Sequence, residues 1–159
     1  MWSWASIIYM YVDDAALAVY RANHTHEARH IDLADTARAV EAIRGRVERV
    51  DLLCASPPCT DFSCAGARVE RASHAGLTVA AARIAAALRP RCVVLENVPE
   101  MLRSRAWAEA SAVLADAGYA WAAVRVNAAA CGVAQAPGGA KRSTMVSMAF
   151  IAVLQKDSR

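Results

Sequence analysis

Asp51-Leu-Leu-Cys-Ala-Ser-Pro-Pro-Cys-Thr-Asp-Phe-Ser63 is a short apolar segment that ends at two prolines and then presents a cysteine. Val50 to Ala55 has the length and composition of a buried strand. Pro57 and Pro58 cannot donate to a β-ladder, and each holds the residue before it in an extended shape. The backbone therefore stiffens just before Cys59, and the following loop can place the sulfur at the strand's C-terminal edge. In an open α/β sheet that edge is where ligands bind. A free cysteine is most often a small buried hydrophobe. The competing reading of Cys59 is a nucleophile.

The chain has 159 residues, enough for one domain with a real core. Hydrophobic residues make up 57% of it and aromatics only 6%, because alanine dominates. That composition favours a helix-rich globular domain over disorder. The net charge of +3 permits contact with nucleic acid without arguing for it, since a dedicated basic binder carries dense Lys/Arg clusters. The five cysteines are odd in number and form no CxxC pair, so neither a disulfide framework nor a zinc site is indicated. A reducing, cytoplasmic setting is expected. Met1 to Val12 lacks a basic leader and a small-residue cleavage site, which argues against a signal peptide. No uncharged run approaches the ~18 residues that span a bilayer, so no membrane role is expected.

Upstream of the central strand, Ala5 to Val12 has strand chemistry. Asp13-Asp14 then opens a helix that runs to about Asn23, where acids at the start can cap it and suit its dipole. His24, His26 and His30 lack a helical metal-binding pattern, and a polar turn into a strand at Arg29 to Ile31 is the better reading. A helix from about Asp35 to Arg46 follows, with Gly45 as its cap.

Downstream, a loop is expected from Thr60 to about Ala75. Its Gly66, Arg68 and Arg71 suit a flap closing on a phosphate backbone, although an ordinary solvated loop is the commoner origin of such a stretch. Leu77, Ala81, Ile84 and Leu88 mark a helix that Pro90 stops. Cys92 to Leu95 is a second buried strand, with Glu96-Asn97 at its C-terminal end. If the two strands are parallel, Glu96 and Cys59 share one edge. Glu96 could otherwise be a helix-start acid ahead of Pro99. Asn97 is expected to brace the local backbone. One helical stretch is expected from Met101 to Ala117, with Ala106, Ala110, Val113 and Ala117 on a stripe and Gly118 as cap. Trp107 and Trp121 read as packing residues. Trp121 to Asn127 and Thr144 to Leu154 read as two strands, an antiparallel pair at the sheet edge. Between them, Gln135-Ala-Pro-Gly-Gly-Ala-Lys-Arg142 lacks the Walker spacing and is not a phosphate loop.

Three stretches in this order, the Pro57-Pro58-Cys59 turn, Val94-Leu-Glu-Asn-Val-Pro99, and Val126-Asn127 through Cys131-Gly-Val-Ala-Gln135, resemble the DNA cytosine-5 methyltransferase family. The pattern Asp13-x-x-Ala16-x-x-x-Tyr20-x-x-Asn23-His24 resembles the segment after that family's second strand. The resemblance implies a partial Rossmann-like α/β fold that uses S-adenosyl-L-methionine. Its sheet would be mostly parallel with an antiparallel edge pair, and residues 1–159 would form one partial catalytic domain. Cys59 would be the nucleophile, Glu96 the acid that assists it, and Arg142 the last arginine of the family's Gln-x-Arg-x-Arg turn. Val12 and Asp32 would meet the adenine of the cofactor, with Pro58 beside it. Asp32 could equally cap the following helix. Asn97, Gln135, Arg68 and Arg71 would contact DNA.

The implied chemistry follows from cytosine, whose C5 is a poor nucleophile. A thiolate adding at C6 makes C5 enamine-like, and C5 can then accept a methyl group. The acid at N3 and the arginine at the base oxygen would keep charge from building on the ring. The target base would be flipped out of a duplex, at a cost of a few kcal/mol.

The resemblance starts at the family's second strand. The Phe-x-Gly-x-Gly turn, the target-recognition region and the late motifs are not among these residues, and Tyr11 stands where the family offers a glutamate to the ribose. A complementing chain or a homo-oligomer is therefore an expected partner alongside DNA. Two other readings stay open: a non-catalytic remnant that binds DNA or protein, and an unrelated cysteine hydrolase with His74 or His24 as base.

Overall fold

The computed structural model describes residues 7–58, 72–127 and 147–155. Strand β1 (Ile8–Tyr11) leads into helix α1 (Asp14–Asn23), whose N-cap Asp13 accepts the Ala16 N–H through Oδ1 at 2.9 Å. Strand β2 (Glu27–His30) pairs parallel with β1. It lies earlier than the Arg29 to Ile31 expectation, because the Glu27–Arg29 ion pair lets charged residues occupy a half-buried strand. Helix α2 (Thr36–Arg44) is capped by Asp35, whose Oδ1 takes the Arg38 N–H at 3.1 Å. Asp32 is thus not its cap. Gly45 closes α2 in an ordinary right-handed conformation.

Strand β3 (Leu52–Ala55) and strand β4 (Cys92–Asn97) run parallel, Ala55 opposite Leu95. Helix α3 (Ala72–Leu88) connects them. Ala72 to Ala75, expected in the preceding loop, form its first turn. Ala80, Ala81, Ala82 and Ala85 are buried, and their small side chains let α3 nest between α2 and α4. The helix stops where Arg89 takes the left-handed conformation, φ 52°, ahead of Pro90.

The expected single helix from Met101 to Ala117 is two elements. Pro99–Arg103 forms a 3-10 turn, and Ser104 then restarts the chain as N-cap of helix α4 (Arg105–Asp116). Ser104 Oγ donates to the Met101 carbonyl at 2.7 Å and accepts the Trp107 N–H at 3.0 Å. The buried stripe of α4 is Ala106, Trp107, Ala110 and Leu114, so Trp107 is core. Gly118, at φ +88°, supplies the left-handed turn into strand β5 (Tyr119–Asn127). Strand β6 (Ser147–Gln155) is antiparallel to β5 and is also inserted antiparallel beside β4, giving the order β3-β4-β6-β5.

Burial along β4 alternates. Val93, Leu95 and Asn97 are buried towards α3 and α4, while Cys92, Val94 and Glu96 are half-buried on the other face. Leu95 and Val93 anchor a core with Ala82, Ala85, Met101, Trp107, Ala110 and Leu114. Complete burial of a side chain such as Leu95 is worth about 2 kcal/mol. A second cluster of Ile31, Ala39, Val40, Ile43 and Ile84 is touched by both Met10 of β1 and Leu53 of β3. That shared cluster holds the two-stranded sheet alongside the four-stranded one, although β1 and β3 do not pair with each other.

Candidate active site

The parallel strands end in two pairs, β1 beside β2 and β3 beside β4, and among the described residues Val12, Asp32, Pro58, Glu96 and Asn97 lie at or just beyond these ends. At the end of β1, Tyr11 is 43% exposed and Val12 57% exposed. The ladder to β2 continues one step further, with the Ile31 N–H donating to the Tyr11 carbonyl at 3.1 Å. Val12 and Asp32 therefore follow neighbouring strand ends. Asp32 is exposed and uses Oδ1 to hold the Ala34 N–H at 2.9 Å, a local turn at the strand exit.

At the end of β3, Ser56, Pro57 and Pro58 leave the sheet. At the end of the neighbouring β4 lie Glu96 and Asn97, inside the strand and two residues further than its expected end. This position removes the helix-start reading of Glu96. The acid in the first turn of the next element is Glu100.

Glu96 and Asn97 face opposite sides of the sheet. Asn97 points with Leu95 towards the helices, is buried, and is engaged through both its amide atoms. Its Nδ2 donates to the Pro57 carbonyl at 2.9 Å, and its Oδ1 accepts the Val98 N–H at 2.9 Å. The amide thus ties the Pro57-Pro58 turn to the exit of β4. The bracing role was legible in the sequence, but this partner was not, because a main-chain carbonyl 40 positions away leaves no mark in residue identity. Glu96 is half-buried on the opposite face, with Phe150 of β6 as its register partner.

Cys59, Arg68, Arg71, Gln135 and Arg142 lie outside the described residues. Pro58, directly before Cys59, is described and exposed. Cys54, on β3, is a free thiol whose pKa is pushed up by desolvation and then by neighbouring Cys92. A raised pKa disfavours the thiolate, so Cys54 is not poised as a nucleophile. Among the described residues no group of His, Cys, Asp and Glu is placed to hold a metal, and no helix is long and apolar enough to cross a membrane.

Comparison with known proteins agrees with this arrangement. Residues 5–142 match the C-5 cytosine-specific DNA methylase family. The type II methyltransferase M.HgiDI of Herpetosiphon aurantiacus is 38% identical over 120 residues, covering 76% of this chain and 38% of that protein. The type II methyltransferase M.HindV of Haemophilus influenzae is 34% identical over 122 residues, covering 77% of this chain and 40% of that protein. The chain thus spans about two fifths of the length of these relatives. Among solved structures, the S. pombe Dnmt2 methyltransferase superposes with a TM-score of 0.66 at 19% identity, over 92% of this chain and 40% of that one. The fold is the Rossmann-like α/β fold of the methyltransferases, and the chain belongs to the C-5 cytosine-specific DNA methylase family.

Proposed function

We propose that this chain carries the reacting groups for methyl transfer to C5 of cytosine in DNA through a covalent adduct at C6. The observation that carries the reading is the Asn97–Pro57 hydrogen bond, which fixes the turn leading to Cys59 against the strand end bearing Glu96. The Cys59 thiolate adds to C6 of a cytosine flipped out of the duplex. Glu96 holds N3 and delivers a proton there, so that C5 gains enamine character without charge on the ring. Arg142 grips the base oxygen. S-adenosyl-L-methionine supplies the methyl group that C5 accepts. N3 then returns its proton to Glu96, and loss of the C5 proton to solvent expels the Cys59 thiolate and restores the neutral aromatic ring.

Val12 and Asp32 would meet the cofactor's adenine with Pro58 also on the cofactor, and Gln135, Arg68 and Arg71 would line the DNA side. Asn97, expected there too, is instead buried with both amide atoms engaged, so it holds the Pro57 turn rather than DNA. Tyr11, at the end of β1, offers the ribose a phenol where the resemblance expects a carboxylate. A complementing chain or a second copy would supply what the relatives hold in their remaining length, in the cytoplasm of a host with a restriction-modification system.

The test is transfer of labelled methyl to mixed-sequence DNA by the wild type and by Cys59→Ala, together with trapping on DNA containing 5-fluorocytosine. Fluorine at C5 blocks the final proton loss, so the adduct should accumulate with the wild type and not with Cys59→Ala. Absence of the adduct when donor, DNA and a complementing methylase segment are all supplied would sink the proposal.

A further inference from the structure

Strand β5 is the outermost strand of its sheet, paired on one side with β6 and on the other with no strand among the described residues. Its sequence is Tyr-Ala-Trp-Ala-Ala-Val-Arg-Val-Asn, and every residue from Ala120 to Arg125 is exposed. Trp121 is 43% exposed and Val124 53%. The strand has no proline, lysine or acid, the devices that ordinarily protect an edge. A long apolar strand with no strand partner on its outer side among the described residues is a template for another strand.

From this edge we infer that β5 pairs antiparallel with β5 of a second copy, centred on Ala123, joining two four-stranded sheets into one of eight. The inference is independent of the methyl-transfer reading. Its register follows from symmetry. A two-fold axis normal to the sheet keeps each side chain on its own face, so one residue must lie opposite its own copy. An axis on Arg125 sets two guanidinium groups against each other, which is repulsive. An axis on Trp121 brings two bulky indoles together and pairs fewer residues. An axis on Ala123 pairs the whole of Tyr119–Asn127, places the smallest side chain at the centre, and sets Trp121 opposite Arg125 of the other copy at both ends of the interface. Each Arg125 can then lie over a Trp121 ring, a favourable cation–π contact. That ring is already braced edge-on by Trp107, with centroids 4.9 Å apart.

The test is sedimentation equilibrium of the full chain and of Ala123→Glu and Ala123→Lys. The wild type should sediment at twice its 17.0 kDa chain mass. Either variant sets like charges face to face on the axis, and its dimer dissociation constant should rise by about tenfold or more. Ala123 is exposed in the single chain, so each variant should keep the wild-type far-ultraviolet circular dichroism. An equimolar mixture of the two variants pairs Glu with Lys and should regain the double mass. A monomeric wild type, a dimer indifferent to Ala123→Glu, or a mixture that stays monomeric would each overturn the inference. Indifference would move the contact to another surface, such as the unpaired edges of β1 and β3.

Discussion

The side-chain amide of Asn97 donates to the main-chain carbonyl of Pro57 at 2.9 Å while accepting the Val98 N–H. One buried residue thereby clamps two strand exits together. Asn97→Ala leaves both the carbonyl and the N–H without these partners. It should lower stability by about 1–3 kcal/mol, read as a shift in urea midpoint at constant slope. Methyl transfer should fall with it, because the turn before Cys59 loses its anchor.

Glu96 leaves the sheet on the face away from the helical layer, where removing its charge touches little of the core. Glu96→Gln should therefore keep the wild-type urea midpoint. Its rate of adduct formation with 5-fluorocytosine DNA should drop about 10²–10⁴-fold, the usual worth of a positioned acid. An unchanged adduct rate would remove Glu96 from the chemistry.

The Tyr119 hydroxyl donates to the Pro90 carbonyl at 2.7 Å, tying the start of β5 to the turn before β4. Desolvation raises its pKa above the ordinary tyrosine value, opposed by Arg89 and reinforced by Cys92. The native state therefore keeps this proton to a higher pH than the unfolded chain does. The stabilisation is full below about pH 10 and is lost as pH rises through the native value. Tyr119→Phe should cost about 1 kcal/mol at neutral pH. It should also flatten the decline above about pH 10, and urea titrations at the two pH values check both effects.

Arg89 holds φ 52° at the end of α3, a conformation that costs a side-chain-bearing residue about 1–2 kcal/mol and glycine almost nothing. Arg89→Gly should leave stability unchanged or raise it by up to about 1 kcal/mol, measured by thermal unfolding. A loss would show that the Arg89 side chain contributes more than its backbone costs.

The parts of the fold legible in the sequence are those where one local pattern has one physical outcome. The apolar runs before Pro57 and before Glu96 and the aspartates opening α1 all belong to this class. Where a pattern is continuous but the backbone is not, sequence reading fails. Met101 to Ala117 keeps a helical rhythm, yet Pro99 forces a tight 3-10 start and Ser104 caps a second helix inside it. Strand β2 was displaced because its signal is an ion pair rather than an apolar repeat. The antiparallel β5–β6 pair was legible, but the insertion of β6 between β4 and β5 was not, since periodicity carries no strand order. At the site, Glu96 and Asn97 were findable as polar residues ending an apolar strand. The carbonyl that Asn97 holds could be found only in three dimensions.

The position of β6 also sets the order in which this sheet can close. Strand β3 can pair with β4 as soon as α3 has formed, through a local crossover. The second edge of β4 waits for residues 147–155, with Cys92 pairing to Leu154, and β5 has no strand neighbour until the same segment arrives. During synthesis, Trp121 and Val124 are therefore made on the order of seconds before the strand that pairs with theirs. Closing the long loop from β4 to β6 is entropically slow and comes last. Translation lays down β5 before β6, and β5 reaches the sheet only through β6, so until residues 147–155 emerge β5 is a strand without its sheet partner.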